Sequence, residues 1–290
     1  MVNDDFYNNQ INELKKIGVN FSNLENDYVI SILRDKTYLF RFKGYLSNYE
    51  QDVNGKYNLD FEELEEISKI DFLLRKLILS ICLDVEHIIK VKIMNLYNEN
   101  LIKDCDDKIN YLIENKMFTF SKDKSSNYNH KIYEEYKNDW TLFALIEVIS
   151  FGSLLTLINL LEIDLPFCED KDMLWSLKSI RNSAAHNYPM LCNLDSNKNY
   201  KINKNIFEFL EEQGFESLEI SYISIPIIND LMCVLWILHK ITNNKVISKR
   251  FEDIDVLKER IRNSNTEIKS SKCKNIFKTI DKYNESLFKN

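Results

Sequence analysis

A chain of 290 residues, 44% hydrophobic and 29% charged, can bury a sizeable core as one large domain or two smaller ones. Only five Gly and three Pro interrupt runs rich in Leu, Ile, Glu and Lys, so the composition argues for a predominantly helical protein and against a turn-dense β architecture. The net charge of −7 is unevenly spread: residues 240–290 carry 13 Lys/Arg against 7 Asp/Glu, and the remainder 25 against 38. A basic tail on an acidic body can supply a local phosphate-binding face, although a solvated helix surface is an equal reading of those charges.

The first residues, MVNDDFYNNQ, lack the basic-then-apolar order of a secretory signal. Residues 4–17 read as a short amphipathic helix closed by Gly18, and 24–35 as another. The aromatic segment 38–49 contains Arg41, Lys43 and Tyr45. Packing explains such aromatics, and a base-stacking platform is the functional alternative. Residues 60–98 form the longest periodic block, with Leu64, Ile67, Ile70, Leu74, Ile78, Ile81, Val85 and Ile89 at intervals of three and four. That spacing predicts one long core helix.

SKDKSSNYNH at 121–130 has loop composition. A single apolar helix is expected from about Trp140 to Leu161, with Glu147 embedded in it. A carboxylate buried there would need a partner, either a structural cation or a group of a site. A helix follows from Asp170 to Tyr188, then an Asn/Lys-rich loop at 195–205. Helices are expected at 205–213 and 225–243, the latter headed by Pro226, with one or two more closing the chain near 288. Short strands around 215–225 are a minor alternative. The apolar stretches near 72–85 and 225–238 are too short or too charged to cross a membrane. Six Cys make no C-x-x-C pair and no zinc-spaced cluster. The expectation is one helical domain over 1–290 with a basic extension at 240–290, cytoplasmic, without membrane partner, metal or cofactor.

Within the 170–188 helix, Arg181-Asn182-Ser183-Ala184-Ala185-His186 sets a permanent cation, an amide and an imidazole that titrates near neutrality within one and a half turns. In a straight helix Asn182 and His186 lie about 40° apart on one face, and Arg181 about 140° from His186. Asn182 can therefore orient the imidazole, while Arg181 diverges and calls for a second copy of the helix. Tyr188 precedes Pro189, so the helix should end at or before His186. A capping Arg181 and an ordinary terminal histidine are the plain alternative.

RNSAAH resembles the R-(polar)-x-H motif of HEPN-domain ribonucleases. Three further segments are similar to the Abi-like abortive-infection proteins, a branch of that superfamily. They are 38–49 through Arg41, Gly44 and Tyr45; 70–93 through Phe72, Leu74, Arg75 and Glu86; and 140–157 through Trp140, Glu147, Ser150, Phe151 and Gly152. Lys90 stands where that family usually has Arg, and His87 is unusual.

The resemblance implies an all-α, HEPN-type helical bundle that is dimeric and cleaves RNA without a metal. Such activity serves phage defence or toxin–antitoxin function, in some relatives beside a structured non-coding RNA. Arg181, Asn182 and His186 would then be catalytic: His186 moving a proton as a 2′-OH attacks phosphorus, Arg181 stabilising charge, Asn182 orienting His186. DNA, which lacks the 2′-OH, should resist. Glu147 is a supporting candidate, as the buried partner of Arg181 or another base. Arg41, Lys43, Tyr45, Lys178, Arg250, Lys272 and Lys274 are candidate RNA contacts. The rivals are a non-catalytic RNA-binding module and a toxin or antitoxin that works through a protein partner.

Overall fold

The computed structural model describes residues 4–118, 129–165, 170–197, 200, 202–241, 245–264 and 266–288. Among them run fourteen α-helices. The first seven are α1 (Asp4–Lys16), α2 (Asn26–Asp35), α3 (Leu39–Leu46), α4 (Phe61–Asn98), α5 (Cys105–Glu114), α6 (His130–Tyr136) and α7 (Leu142–Val148). After them come α8 (Phe151–Leu160), α9 (Asp172–Ala185), α10 (Lys204–Glu212), α11 (Ser217–Ser221), α12 (Pro226–Lys240), α13 (Lys245–Arg262) and α14 (Ser271–Phe288). The fold is all-α, as the composition led us to expect. The one sheet is a parallel pair of two-residue strands, β1 (Val19–Asn20) and β2 (Leu59–Asp60), in the register Val19 with Leu59. Gly18, at φ +91°, permits that pairing, because a Cβ there would stand 2.8 Å from the Lys56 Cβ.

Helix α4 is the axis of the molecule. Its 38 residues span about 57 Å at 1.5 Å per residue. Leu64, Ile67, Ile70, Ile78, Ile81, Val85, Ile89 and Ile93 are fully buried along one stripe, and Glu62 and Glu63 in the first turn suit the helix dipole. Helix α9 packs on both α4 and α12. Helix α12 is buried almost all round, from Ile228 to Leu238, and begins with Pro226 at its first position. The C-terminal residues belong to the same core. Helix α13 lies on α4 and α14 on α12, and the buried Tyr283 donates to the Met232 carbonyl at 3.0 Å.

Two expectations need correction, and a third segment takes a form that its sequence left open. The apolar run 140–161 is two helices, because Ile149 is extended and the Ser150 hydroxyl caps α8 by accepting from the Ser153 N–H at 3.2 Å. Residues 215–225 form α11 and a 3₁₀ turn (Tyr222–Ser224) in place of strands. The aromatic segment 38–49 is mostly the short helix α3, whose buried face is Leu39, Arg41, Phe42, Tyr45 and Leu46. Most of the loop expected at 121–130 lies outside the described residues. Among the described residues no single helix is long and apolar enough to cross a membrane.

Candidate functional site

Helix α9 stops where the Tyr188-Pro189 pair requires. His186 is its C-cap, and Asn187 adopts the left-handed conformation at φ +59°, which a short polar side chain tolerates better than most. The Asn187 N–H donates to the Ala184 carbonyl at 3.1 Å, and the Tyr188 N–H to that of Ser183 at 2.9 Å. This pair of bonds closes the helix as a Schellman motif. The His186 side chain is exposed, and its ring stacks on that of Tyr188, with centroids 5.9 Å apart and planes 30° apart. A solvent-facing imidazole at the negative end of a helix, lying on an aromatic face, is free to meet an approaching phosphate.

Arg181 points elsewhere, as its helical position predicts. Its guanidinium reaches back to α4, where it lies 3.8 Å from Glu86. Lys90, one turn along α4, is 3.7 Å from the same carboxylate. Among the described residues neither Arg181 Nε nor Glu86 Oε2 has a hydrogen-bond partner, although both atoms are buried. The ion pair is therefore loose. The one hydrogen bond of the guanidinium among the described residues runs from Nη1 to Asn182 Oδ1, at 3.2 Å. Asn182 thus steadies Arg181, not His186 as the helical geometry suggested. Burial drives the nearby Cys82 thiol well above its ordinary pKa, against the pull of the Arg181 charge, so it stays a neutral wall of this cluster.

Glu147 is a clear correction. It is exposed, on the face of α7 opposite Leu145 and Ile146, and is not the partner of Arg181. That partner is Glu86, which sequence reasoning noticed only within a longer resemblance. Tyr45 is the second correction. It is fully buried, so it cannot stack on a base, and its hydroxyl donates to Asp71 Oδ2 at 3.0 Å. Burial pushes its pKa up to about 12, holding it as a donor.

The other cationic candidates scatter. Lys43 pairs with Glu13, and Lys178 lies over its own helix's Trp175 at 4.6 Å. Arg250 bonds Asp84 and Asp253 at 2.6 and 2.8 Å. Lys272 pairs with Asp195, and Lys274 with Glu267. Apart from Lys178, each of these charges meets a carboxylate within the chain, so the tail cations among them form ion pairs more than an open face.

Arg41 joins the motif from a different side. It is buried, and its Nη2 donates to the Asn187 carbonyl at 2.5 Å. Beneath it lies a network that sequence reasoning missed. Asp71 Oδ1 accepts from the Met190 and Leu191 N–H groups at 2.6 and 2.8 Å, while Oδ2 takes Tyr45 and an ion pair with Arg75. This carboxylate pins the chain leaving α9 to α4 and α3. Its signal was readable: an Asp and an Arg four apart in an apolar helical run. Among the described residues no three His, Cys, Asp or Glu side chains converge as a metal ion would require.

Comparison with protein families matches residues 31–191 to the family described as Abi-like protein. That is 161 of the 290 residues. The chain belongs to the Abi-like family. The Abi-like region runs from α2 through the turn after α9, so it contains Arg41, Asp71, Arg75, Glu86, Arg181 and His186. Helices α10 to α14 lie beyond it. No curated protein and no solved structure matches the chain.

Proposed function

We propose that this Abi-like protein is an endoribonuclease of the HEPN type that acts in abortive-infection defence against phage. One observation carries the reading: a single short helix end holds a restrained, half-buried guanidinium at Arg181 and an exposed imidazole at His186. An arginine steadied by Asn182 and only loosely paired with Glu86 keeps its charge for a developing phosphorane. An imidazole open to solvent suits proton transfer at the 2′-OH or the leaving oxygen. Asn182 and Glu86 are positioning residues for Arg181. The pair diverges within one chain, so two α9 helices related by a two-fold axis would supply a complete site, Arg181 from one and His186 from the other.

The test is incubation of purified protein with end-labelled RNA. Cleavage should leave a 2′,3′-cyclic phosphate or 3′-phosphate and a 5′-OH, persist in EDTA, and spare an all-deoxy analogue. Arg181→Ala and His186→Ala should each lower the rate by about 10²-fold or more. RNA that is bound but never cut would replace this reading with a binding module, and 3′-OH products would rule out 2′-OH attack.

A further inference from the structure

Beside the turn that follows α9, an open cleft of about 590 Å³ is lined by residues from α2 to α3, by α4, by that turn and by Arg260 of α13. Its volume falls within the roughly 300–1,000 Å³ of small-molecule sites. The cleft is rich in cations, and most of them have a carboxylate. Arg75 has Asp71, Arg260 has Glu66 at 2.6 Å, and Lys69 has Glu65 at 2.8 Å. Arg41 has none.

Arg41 is only 6% exposed, yet its contacts among the described residues are the Asn187 carbonyl and the face of Tyr38, 5.5 Å from the ring centroid. Its Nε is buried without a partner among those residues. Arg75 lies close enough to feel it: burial first, and the Arg41 charge second, depress the Arg75 pKa. Two guanidiniums are thus buried close together, and the one carboxylate among their contacts with the described residues, Asp71, pairs with Arg75. An uncompensated buried charge is expensive, and an anion entering from the open side would relieve that cost. Tyr38 and Phe72 line the same cleft and are 55% and 50% exposed. Flat aromatic faces beside a cationic floor suit a nucleobase attached to a phosphate.

We propose that this cleft binds a nucleoside phosphate, with the phosphate on Arg41 and the base against Tyr38 and Phe72. The cleft adjoins the end of α9 through Asn187, but neither Arg181 nor His186 lines it. The phosphate could belong to a free nucleotide or to the 5′ end of an RNA, and the titrations below separate the two sources.

Full-length protein would be titrated calorimetrically with AMP, ATP and tripolyphosphate, and with one RNA trinucleotide bearing either a 5′-phosphate or a 5′-OH. Nucleotides should bind once per chain, more tightly than tripolyphosphate. Tyr38→Ala, a change at an exposed ring, should weaken them about tenfold, Arg41→Gln should do so at least as strongly, and Arg181→Ala should leave binding unchanged. Tighter binding of the 5′-phosphorylated trinucleotide than of AMP would identify an RNA end as the source. Tighter binding of AMP or ATP would identify a free nucleotide. Absence of nucleotide binding at millimolar concentration would overturn the proposal, as would binding that Tyr38→Ala leaves intact. Because AMP, ATP and tripolyphosphate carry no RNA phosphodiester to cleave, their binding is read directly whether or not the protein cuts RNA, and the trinucleotides are titrated into the His186→Ala variant.

Discussion

Asp71 illustrates how one side chain can hold a site it never exposes. It accepts from two backbone N–H groups, the Tyr45 hydroxyl and Arg75. Asp71→Ala would leave Arg75 buried beside Arg41 with no counter-charge, and breaking a buried pair in this way costs about 3–5 kcal/mol. Urea unfolding should show that loss, and His186 should become more mobile by NMR, since the turn beyond it has lost its anchor. Asp230 makes the opposite case. Burial raises its carboxyl pKa, against the hydroxyls of Tyr200, Ser176 and Ser179, which lower it. The Tyr200 hydroxyl bond is 2.7 Å long. A raised carboxyl holds its proton more tightly in the folded chain. Its contribution is therefore complete below the ordinary carboxylate pKa and lost as pH rises through the folded value. Asp230→Asn keeps an acceptor for Tyr200 and removes the ionisation. We expect it to be more stable than the parent at neutral pH, with the difference disappearing in acid, as urea midpoints at the two pH values would show.

The end of α9 depends on backbone conformation as much as on side chains. At φ +59°, Asn187→Gly should change stability by only a few tenths of a kcal/mol, whereas a β-branched Asn187→Val should cost about 1–2 kcal/mol. If thermal melts ranked the two alike, the Schellman closure would not be what sets His186 in place. This closure was visible in the sequence through Tyr188-Pro189, just as the three-and-four spacing from Leu64 to Ile89 announced α4. Local rules reached that far. They failed at 149–150, where the apolar run continues but the Ser150 hydroxyl restarts the helix, a competition that hydrophobic pattern alone cannot resolve. They failed again at β1 and β2, since two-residue strands are too short to carry an alternation. The pairing of Arg181 with Glu86 was out of reach for another reason. It joins positions 95 residues apart, and helical geometry reports only which face Arg181 takes, not what packs there.

Across the whole molecule, the surplus of positive charge in 240–290 and of negative charge in the rest largely answer each other. Lys258, Arg260, Lys269, Lys272 and Lys282 all pair with carboxylates, most of them outside the tail: Asp281, Glu66, Asp60, Asp195 and Glu219 respectively. The tail therefore closes the bundle, while the cleft at Arg41 keeps a cation that no carboxylate among the described residues matches. The divergence of Arg181 and His186 also reaches beyond one chain. If a two-fold axis assembles the site, a protomer lacking Arg181 still offers His186, and one lacking His186 still offers Arg181. Equal mixing of Arg181→Ala and His186→Ala subunits makes half of the dimers mixed, and each mixed dimer holds one intact site of two. Ribonuclease activity should return to about a quarter of the parent's from two nearly inactive proteins. The experiment needs subunit exchange by co-refolding or co-expression, with sedimentation confirming the dimer. A mixture of confirmed heterodimers as inactive as either variant alone would place both groups within a single chain's site, or remove them from catalysis altogether.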